Sequence, residues 1–200
     1  MPVSPTLREV LGLGAELPRL ADTTVVLIDF QNTYRTGVMT LEGAEPALAA
    51  GARLLAAART AGAPVVHVLN DGGPGSPYDI RAEIGATSPE VSPADGEPVV
   101  VKRFPDAFHE TELEKVLREL GSGTDLVLAG FMTHMCVTFT AQGAFNRGYR
   151  PTIVAEATAT RALPAPDGTA VAAGTLQTAA LTTIGDLFGT IAPTVADLTR

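Results

Sequence analysis

Asp125-Leu126-Val127-Leu128-Ala129-Gly130-Phe131-Met132-Thr133-His134-Met135-Cys136-Val137 is the stretch that decides the fold. Its four apolar residues from Leu126 to Ala129, set between Gly123 and Gly130, read as a buried strand over 125–129. The segment from Thr133 to Arg147 then reads as a helix that stops at Gly148. A strand that runs through a short turn into a helix is the repeating unit of a parallel α/β sheet.

The same unit recurs on both sides. A first strand spans Thr24 to Ile28, and a helix from about Glu45 to Thr60 follows it, ended by Gly62 and Pro64. Val65 to Leu69 reads as strand two and Val99 to Val101 as strand three. Thr111-Glu112-Leu113-Glu114 matches a capping box that opens a helix reaching Leu120. Strand five follows at Thr152 to Ala155, a last helix spans about Asp167 to Thr183, and Thr190-Ile191 is a weak sixth strand. This alternation predicts a three-layer α/β/α fold, a doubly wound, Rossmann-like, mainly parallel six-stranded sheet with right-handed crossovers. Residues 1–20 read as an N-terminal extension and residues 21–200 as a single domain. Within the extension, Thr6 to Leu11 forms one or two helical turns before Gly12 and Gly14, as a lid or subunit-contact element. From Asp71 to Gly96 the chain holds five glycines and four prolines, a long surface loop of the kind that usually carries function. The chain ends soon after the last strand, which predicts no fused carrier domain.

Composition narrows the partners. A net charge of −8 argues against nucleic acid or an anionic membrane, both of which need clustered Lys and Arg. No run approaches the roughly 18 apolar residues of a membrane span. A single cysteine makes no intrachain disulfide, and charges and prolines interrupt the N-terminus, so a reducing, cytoplasmic location is expected. Gly12-Leu13-Gly14-Ala15-Glu16-Leu17 follows no strand and lacks a third glycine, which excludes a dinucleotide fingerprint. The expected partner is a small-molecule substrate, with no cofactor.

Three apolar runs lead to reactive side chains: the first strand into Asp29, the third into Lys102, and the fourth, through a turn, to Cys136. Ligands bind beyond the carboxyl ends of strands in an open parallel sheet, so an acid, a base and a nucleophile converge there. Together they spell covalent thiol catalysis. Cys136 lies in the first turn of its helix, where the dipole and Lys102 favour thiolate, and Asp29 accepts the proton. Each residue alone has a plainer reading: Cys136 as a small buried apolar group, Asp29 as a turn cap, Lys102 as a snorkelling strand-end lysine. The weight comes from the trio.

At these residues a resemblance becomes plain. Gly130-Phe131-Met132-Thr133-His134-Met135-Cys136-Val137, followed by Thr140-Ala141 and Gly148-Tyr149, resembles the nucleophile motif of the isochorismatase-like cysteine hydrolases, the superfamily of nicotinamidases and N-carbamoylsarcosine amidases. Leu27-Ile28-Asp29-Phe30-Gln31-Asn32 resembles its first-strand motif, and Lys102 with Asp106-Ala107-Phe108 and Thr111-x-Leu113 its lysine segment. The resemblance implies a catalytic triad of Asp29, Lys102 and Cys136, and a cis peptide between Phe131 and Met132. It further implies an oxyanion hole made by the backbone NH groups of Met132 and Cys136. It suggests a homodimer or homotetramer.

The chain departs from the metal-dependent nicotinamidase branch, whose site uses an Asp-x-His pair, because no Asp-x-His occurs here. His67, His109 and His134 are widely separated, so ligand spacing predicts no metal. His67 reads as a satisfied core histidine and His109 as solvated; His134 reads either as a substrate contact or as part of the helix entry. Asp106 stands where the family commonly has a small hydroxyl residue, and reads as a cap for the turn before Ala107 ahead of a recognition group for a cationic substrate. Gln31, Tyr34, Phe104, Phe108, Thr133 and His134 are the candidate pocket residues, with ordinary core as the plainer reading of the aromatic ones. The expected activity is thiol-dependent hydrolysis of a small amide, ureide, lactam or carbamoyl C–N bond through a thioester. The alternatives are acid-catalysed hydrolysis of an isochorismate-type vinyl ether, or a non-catalytic thiol sensor on the same fold.

Overall fold

The computed structural model describes residues 3–199. In chain order the elements are α1 (Leu7–Val10), β1 (Thr24–Ile28), α2 (Ala44–Ala61), β2 (Val65–Asn70), β3 (Val99–Lys102), α3 (Leu113–Glu119), β4 (Asp125–Phe131) and α4 (Thr138–Asn146). There follow β5 (Arg150–Ala159), β6 (Leu163–Pro164), β7 (Ala170–Val171), α5 (Ala173–Thr183) and β8 (Thr190–Ala192). Six strands form one sheet in the order β3-β2-β1-β4-β5-β8, every pairing parallel, as the alternation predicts. The order reverses between β1 and β4, the crevice where such sheets place their ligands.

Why the central strands read as unbroken apolar runs is visible in their burial. Every residue of β1 is buried, because helices cover both faces. Val25, Leu27, Val127, Ala129 and Val154 pack with Leu48, Leu54 and Leu55 of α2. Val26, Ile28, Val100, Leu126, Leu128 and Ile153 pack on the other face with Leu113, Leu117, Val137, Ala141 and Ile184. β3, at the edge, instead alternates, with Val99 and Val101 exposed and Val100 and Lys102 buried. That alternation turns Lys102 inward.

Four local readings are corrected. The helix predicted from Thr133 opens as a π-helical turn, Thr133–Val137, before α4. There the Val137 NH reaches back to the Met132 carbonyl, and the Thr138 hydroxyl donates to the Thr133 carbonyl at 2.6 Å, which widens the turn. The capping box at Thr111 does not form: its hydroxyl donates to the Ala107 carbonyl and accepts from the Leu113 NH, so the helix begins at Leu113 without a side-chain cap. The last helix starts at Ala173 rather than near Asp167, because Asp167 accepts from the Thr169 NH and hydroxyl and closes a β6–β7 hairpin. β5 continues past Ala155: its pairing with β4 shifts register after Leu128 and resumes at Gly130 with Thr158 and Phe131 with Ala159.

α1 forms as expected, with a capping box of its own at Thr6 and Glu9. It docks through the Leu7 NH on Asp186 and Arg8 on the Leu187 carbonyl, beside a cavity of about 440 Å³ at the amino ends of β4, β5 and β8. That is the opposite pole from the ends of β1, β3 and β4 that carry Asp29, Lys102 and Cys136, so α1 does not cover those side chains.

Acid sensitivity follows from one cluster around the buried His67. His67 donates or accepts at 2.8 Å with Glu97, which also takes Arg59 at 2.8 Å and the Ala94 NH. Arg59, with the Ala94 NH and His67, holds Glu97 down to about 2 against burial, and burial holds His67 below its usual 6.5. Both folded pKa values lie below the unfolded ones, so the stability they contribute is complete above pH 6.5 and falls with acidification, most steeply from pH 4.5 to about 2. Glu97→Gln is expected to cost about 2 kcal/mol at pH 7 and little near pH 2, read from urea midpoints; an equal cost at both pH values would contradict this.

Candidate active site

Gly130 lets β1 and β4 meet at the site. A Cβ there would lie 1.9 Å from the Ile28 carbonyl oxygen, and φ is +136°, so only glycine brings the two strand ends this close. On the β1 side the chain turns at once: Asp29 has φ +53°, uncommon outside glycine and tolerated by Asp. On the β4 side the Phe131–Met132 peptide is cis and leads into the π-turn that carries Cys136.

The three predicted reactive groups meet there. Lys102 Nζ lies 2.7 Å from Asp29 Oδ2 and 3.3 Å from Cys136 Sγ. Asp29 and Lys102 are completely buried and Cys136 is 7% exposed. Besides Lys102, the Cys136 thiol and the Asn70 backbone NH lie close enough to Asp29 to hold its carboxyl down in part. Asn70 at the end of β2 places Oδ1 3.4 Å from Lys102 Nζ, in the register that pairs the two residues.

Burial raises the Asp29 carboxyl above its ordinary value, against the pull of Lys102. Burial pulls the Lys102 ammonium down, but Asp29 and Cys136 together carry it above 10.5. Burial, then the Asp29 charge, pushes the Cys136 thiol up to about 12 despite Lys102. The expectation that the dipole and Lys102 favour thiolate is therefore corrected: the resting site is a buried Asp29–Lys102 ion pair beside a neutral thiol.

Around this cluster the candidate pocket residues separate. Tyr34 is buried edge-on against Phe131 and Tyr78, close enough for the Asp29 and Cys136 charges, after burial, to raise its phenol. Thr133 is buried with a hydroxyl that has no hydrogen-bond partner among the described residues. His134 is half-buried and shares its Nδ1 with the Thr160 hydroxyl. Gln31 is a brace: its amide NH₂ donates to the Asn70 and Gly85 carbonyls, and its oxygen accepts from the Asn70 NH. Phe108 lies in the core, stacked with Tyr149 beneath the Arg147 guanidinium, and Phe104 is 42% exposed against His109. Asp106 caps its turn through the Phe108 NH at 2.9 Å, and a Cβ on Gly143 would strike its carboxylate.

Three residues at the site escape the sequence reading. Asn70 carries the same strand-end signal as Asp29 and Lys102, one residue past the expected end of β2. Tyr78 lies in the loop marked as functional, where nothing distinguishes one residue from its neighbours. Its ring reaches Tyr34 because Arg81 clips the loop to Asp71 and Asp79 at 2.9 Å and 2.6 Å. Arg161 follows a strand whose length composition does not reveal.

Residues 23–192 match the isochorismatase domain family. Over 187 residues the chain is 32% identical to the secreted isochorismatase effector of Verticillium dahliae, covering 93% of this chain and 95% of that protein. It is 31% identical to the ureidoacrylate amidohydrolase of Methylorubrum extorquens over 213 aligned positions, covering 88% of this chain and 82% of that protein. The crystal structure of an isochorismatase from Pseudomonas putida superposes with a TM-score of 0.93 at 37% identity, over 98% of this chain and 100% of that one. With a family match across nearly the whole sheet and its strand-end cluster, this chain belongs to the isochorismatase family of hydrolases.

Proposed function

We propose that the protein hydrolyses a small amide or ureide C–N bond through a thioester on Cys136, with Asp29 as proton carrier and Lys102 as charge partner. The observation that carries this reading is the contact of one buried ammonium with both a carboxylate and the sole thiol, 2.7 Å and 3.3 Å away. A vinyl ether hydrolysed by acid catalysis needs no nucleophile, whereas an amide needs one. A relative named as an amidohydrolase supports the same choice.

Asp29 takes the thiol proton as sulfur bonds to the carbonyl carbon, and the carbonyl π pair moves to oxygen. That oxyanion is held by the Met132 and Cys136 backbone NH groups, a pair of donors of the kind worth about 3 kcal/mol each. The tetrahedral adduct collapses: the C–N bond breaks, and the leaving nitrogen takes the proton from Asp29. Water then gives a proton to Asp29 and its oxygen to the thioester carbon; the C–S bond breaks, and sulfur recovers the proton. Throughout, Lys102 balances whichever of Asp29 and Cys136 is negative. Tyr34, Thr133 and His134 form the walls nearest the reacting carbon. The single thiol fits a reducing, cytoplasmic setting, and a homo-oligomer is part of the same reading.

Intact-mass spectrometry during turnover of an amide and ureide panel tests this. A substrate-derived acyl increment on the wild type, mapped to Cys136 and absent from both Cys136→Ala and Asp29→Asn, is the expected result. Turnover without any increment, undiminished in Cys136→Ala, would replace this reading by acid catalysis from Asp29.

A further inference from the structure

A substrate must bring a carbonyl carbon onto Cys136, yet the site is covered. Asp29 and Lys102 are completely buried, and Cys136 and Met132 are 7% and 6% exposed. A site closed to this degree admits its substrate when a covering segment moves. β1, β4 and the π-turn are held in the sheet and its core. The loop after β2 is not: it lays the Tyr78 ring edge-on to Tyr34, with 5.8 Å between centroids. There Tyr78 is near enough for the Cys136 and Asp29 charges, after burial, to raise its phenol.

The two halves of this loop are fastened differently. The second half is tied to the exit of β1: the Asn32 NH donates to the Ala86 carbonyl at 3.0 Å, the Gln31 amide to the Gly85 carbonyl at 2.7 Å, and the Ser88 NH to the Phe30 carbonyl at 2.8 Å. In the first half, the backbone hydrogen bonds of residues 72–80 close within residues 71–82, among the described residues. The Gly72 NH on the Tyr78 carbonyl and the Gly75 NH on the Asp79 carboxylate fold it into a lobe of its own. Arg81 closes the base of that lobe. Its two terminal nitrogens donate to the two Asp71 oxygens at 3.1 Å and 2.9 Å, and its Nε donates to Asp79 at 2.6 Å. Through Asp79 the guanidinium goes with the lobe, whereas Asp71 stays with the sheet, its NH on the Lys102 carbonyl at 2.9 Å. The Arg81–Asp71 fork is therefore the fastening that parts when the lobe swings away.

We propose that residues 72–80 are a lid over Cys136, with Tyr78 as its inner face and Arg81 as the positioning residue whose fork on Asp71 holds it shut. The lid rests on the hydrolase reading only for what passes beneath it, since access to the thiol is measured without turnover. A bidentate guanidinium–carboxylate pair fixes orientation as well as distance, so the closed lobe sets Tyr78 against Tyr34 in one place. Arg81 is half-exposed, and a fork open to solvent weakens as salt is added.

Because Cys136 is the only cysteine, iodoacetamide reads its accessibility directly. Arg81→Gln and Asp71→Asn are each expected to raise the alkylation rate about tenfold at neutral pH, with Arg81→Lys in between and the double variant no faster than either single one. The shared sign is what identifies a lid. Acting through charge alone, loss of a cation would slow the thiolate reaction and loss of an anion would speed it. Added salt should speed alkylation of the wild type several-fold and leave Arg81→Gln unchanged. Tyr78→Ala should be fast and Tyr78→Phe close to wild type. Hydrogen exchange in Arg81→Gln should quicken within residues 72–80 and stay unchanged in β1 and β4. Opposite signs in the two variants, no change in either, or faster exchange throughout the sheet overturns the proposal. Faster alkylation in both variants of a protein that turns over no amide would sustain the lid and remove the hydrolase reading instead.

Discussion

In Cys136→Ala, kcat is expected to fall by a factor on the order of 10⁴ or more, with KM changed by no more than a few-fold. The size follows from the lack of any substitute. No second thiol exists in the chain, and the buried Asp29–Lys102 pair that remains is an acid–base couple with nothing to deprotonate. Cys136→Ser should fare little better: Asp29 must then take a proton from an alcohol, a far weaker acid than a thiol already pushed up to about 12. The KM expectation rests on the 7% exposure of the side chain, too little surface to contribute much to ground-state binding. Steady-state kinetics on the best substrate of the amide panel measures both numbers. A variant that keeps a tenth of wild-type kcat would mean that sulfur is not the nucleophile.

Asp29, Lys102 and Cys136 were legible because a parallel sheet writes its own address: each follows a short apolar run, and the carboxyl ends of such runs share one edge. Lys102 shows how local the signal is, since edge-strand alternation alone turns it inward between exposed Val101 and the loop. What was not legible depends on contacts between distant segments. The π-turn at Thr133–Val137 needs Thr138 to take the Thr133 carbonyl, and the length of β5 needs the register shift beside Leu128. The thiol's pKa was misjudged for a related reason. Dipole and lysine are readable along the chain, but the burial that outweighs them exists only after folding.

Asp29→Asn should separate reactivity from catalysis by moving them in opposite directions. After burial, the Asp29 charge is the chief cause that raises the Cys136 thiol, so its removal leaves Lys102 to stabilise thiolate. Iodoacetamide should then alkylate Cys136 faster at neutral pH, by about tenfold for each pKa unit the thiol comes down. Turnover, however, should collapse by a factor on the order of 10³ or more, because no group is left to carry the proton to the leaving nitrogen. Stability changes too. Lys102 loses its counter-charge in a buried site, a change of the kind that costs about 3–5 kcal/mol. In the wild type the Lys102 pKa is raised above its unfolded 10.5, so that contribution is complete below pH 10.5 and lost as pH rises through the folded value. Urea midpoints should accordingly fall above pH 10.5 in the wild type and stay flatter there in Asp29→Asn. Adding Lys102→Met removes the stranded charge and should restore part of the stability with no return of activity, since an apolar pair can replace a buried ion pair in packing but not in proton transfer. If Asp29→Asn instead slowed alkylation and turnover together, Asp29 would be holding the thiol in place rather than accepting its proton.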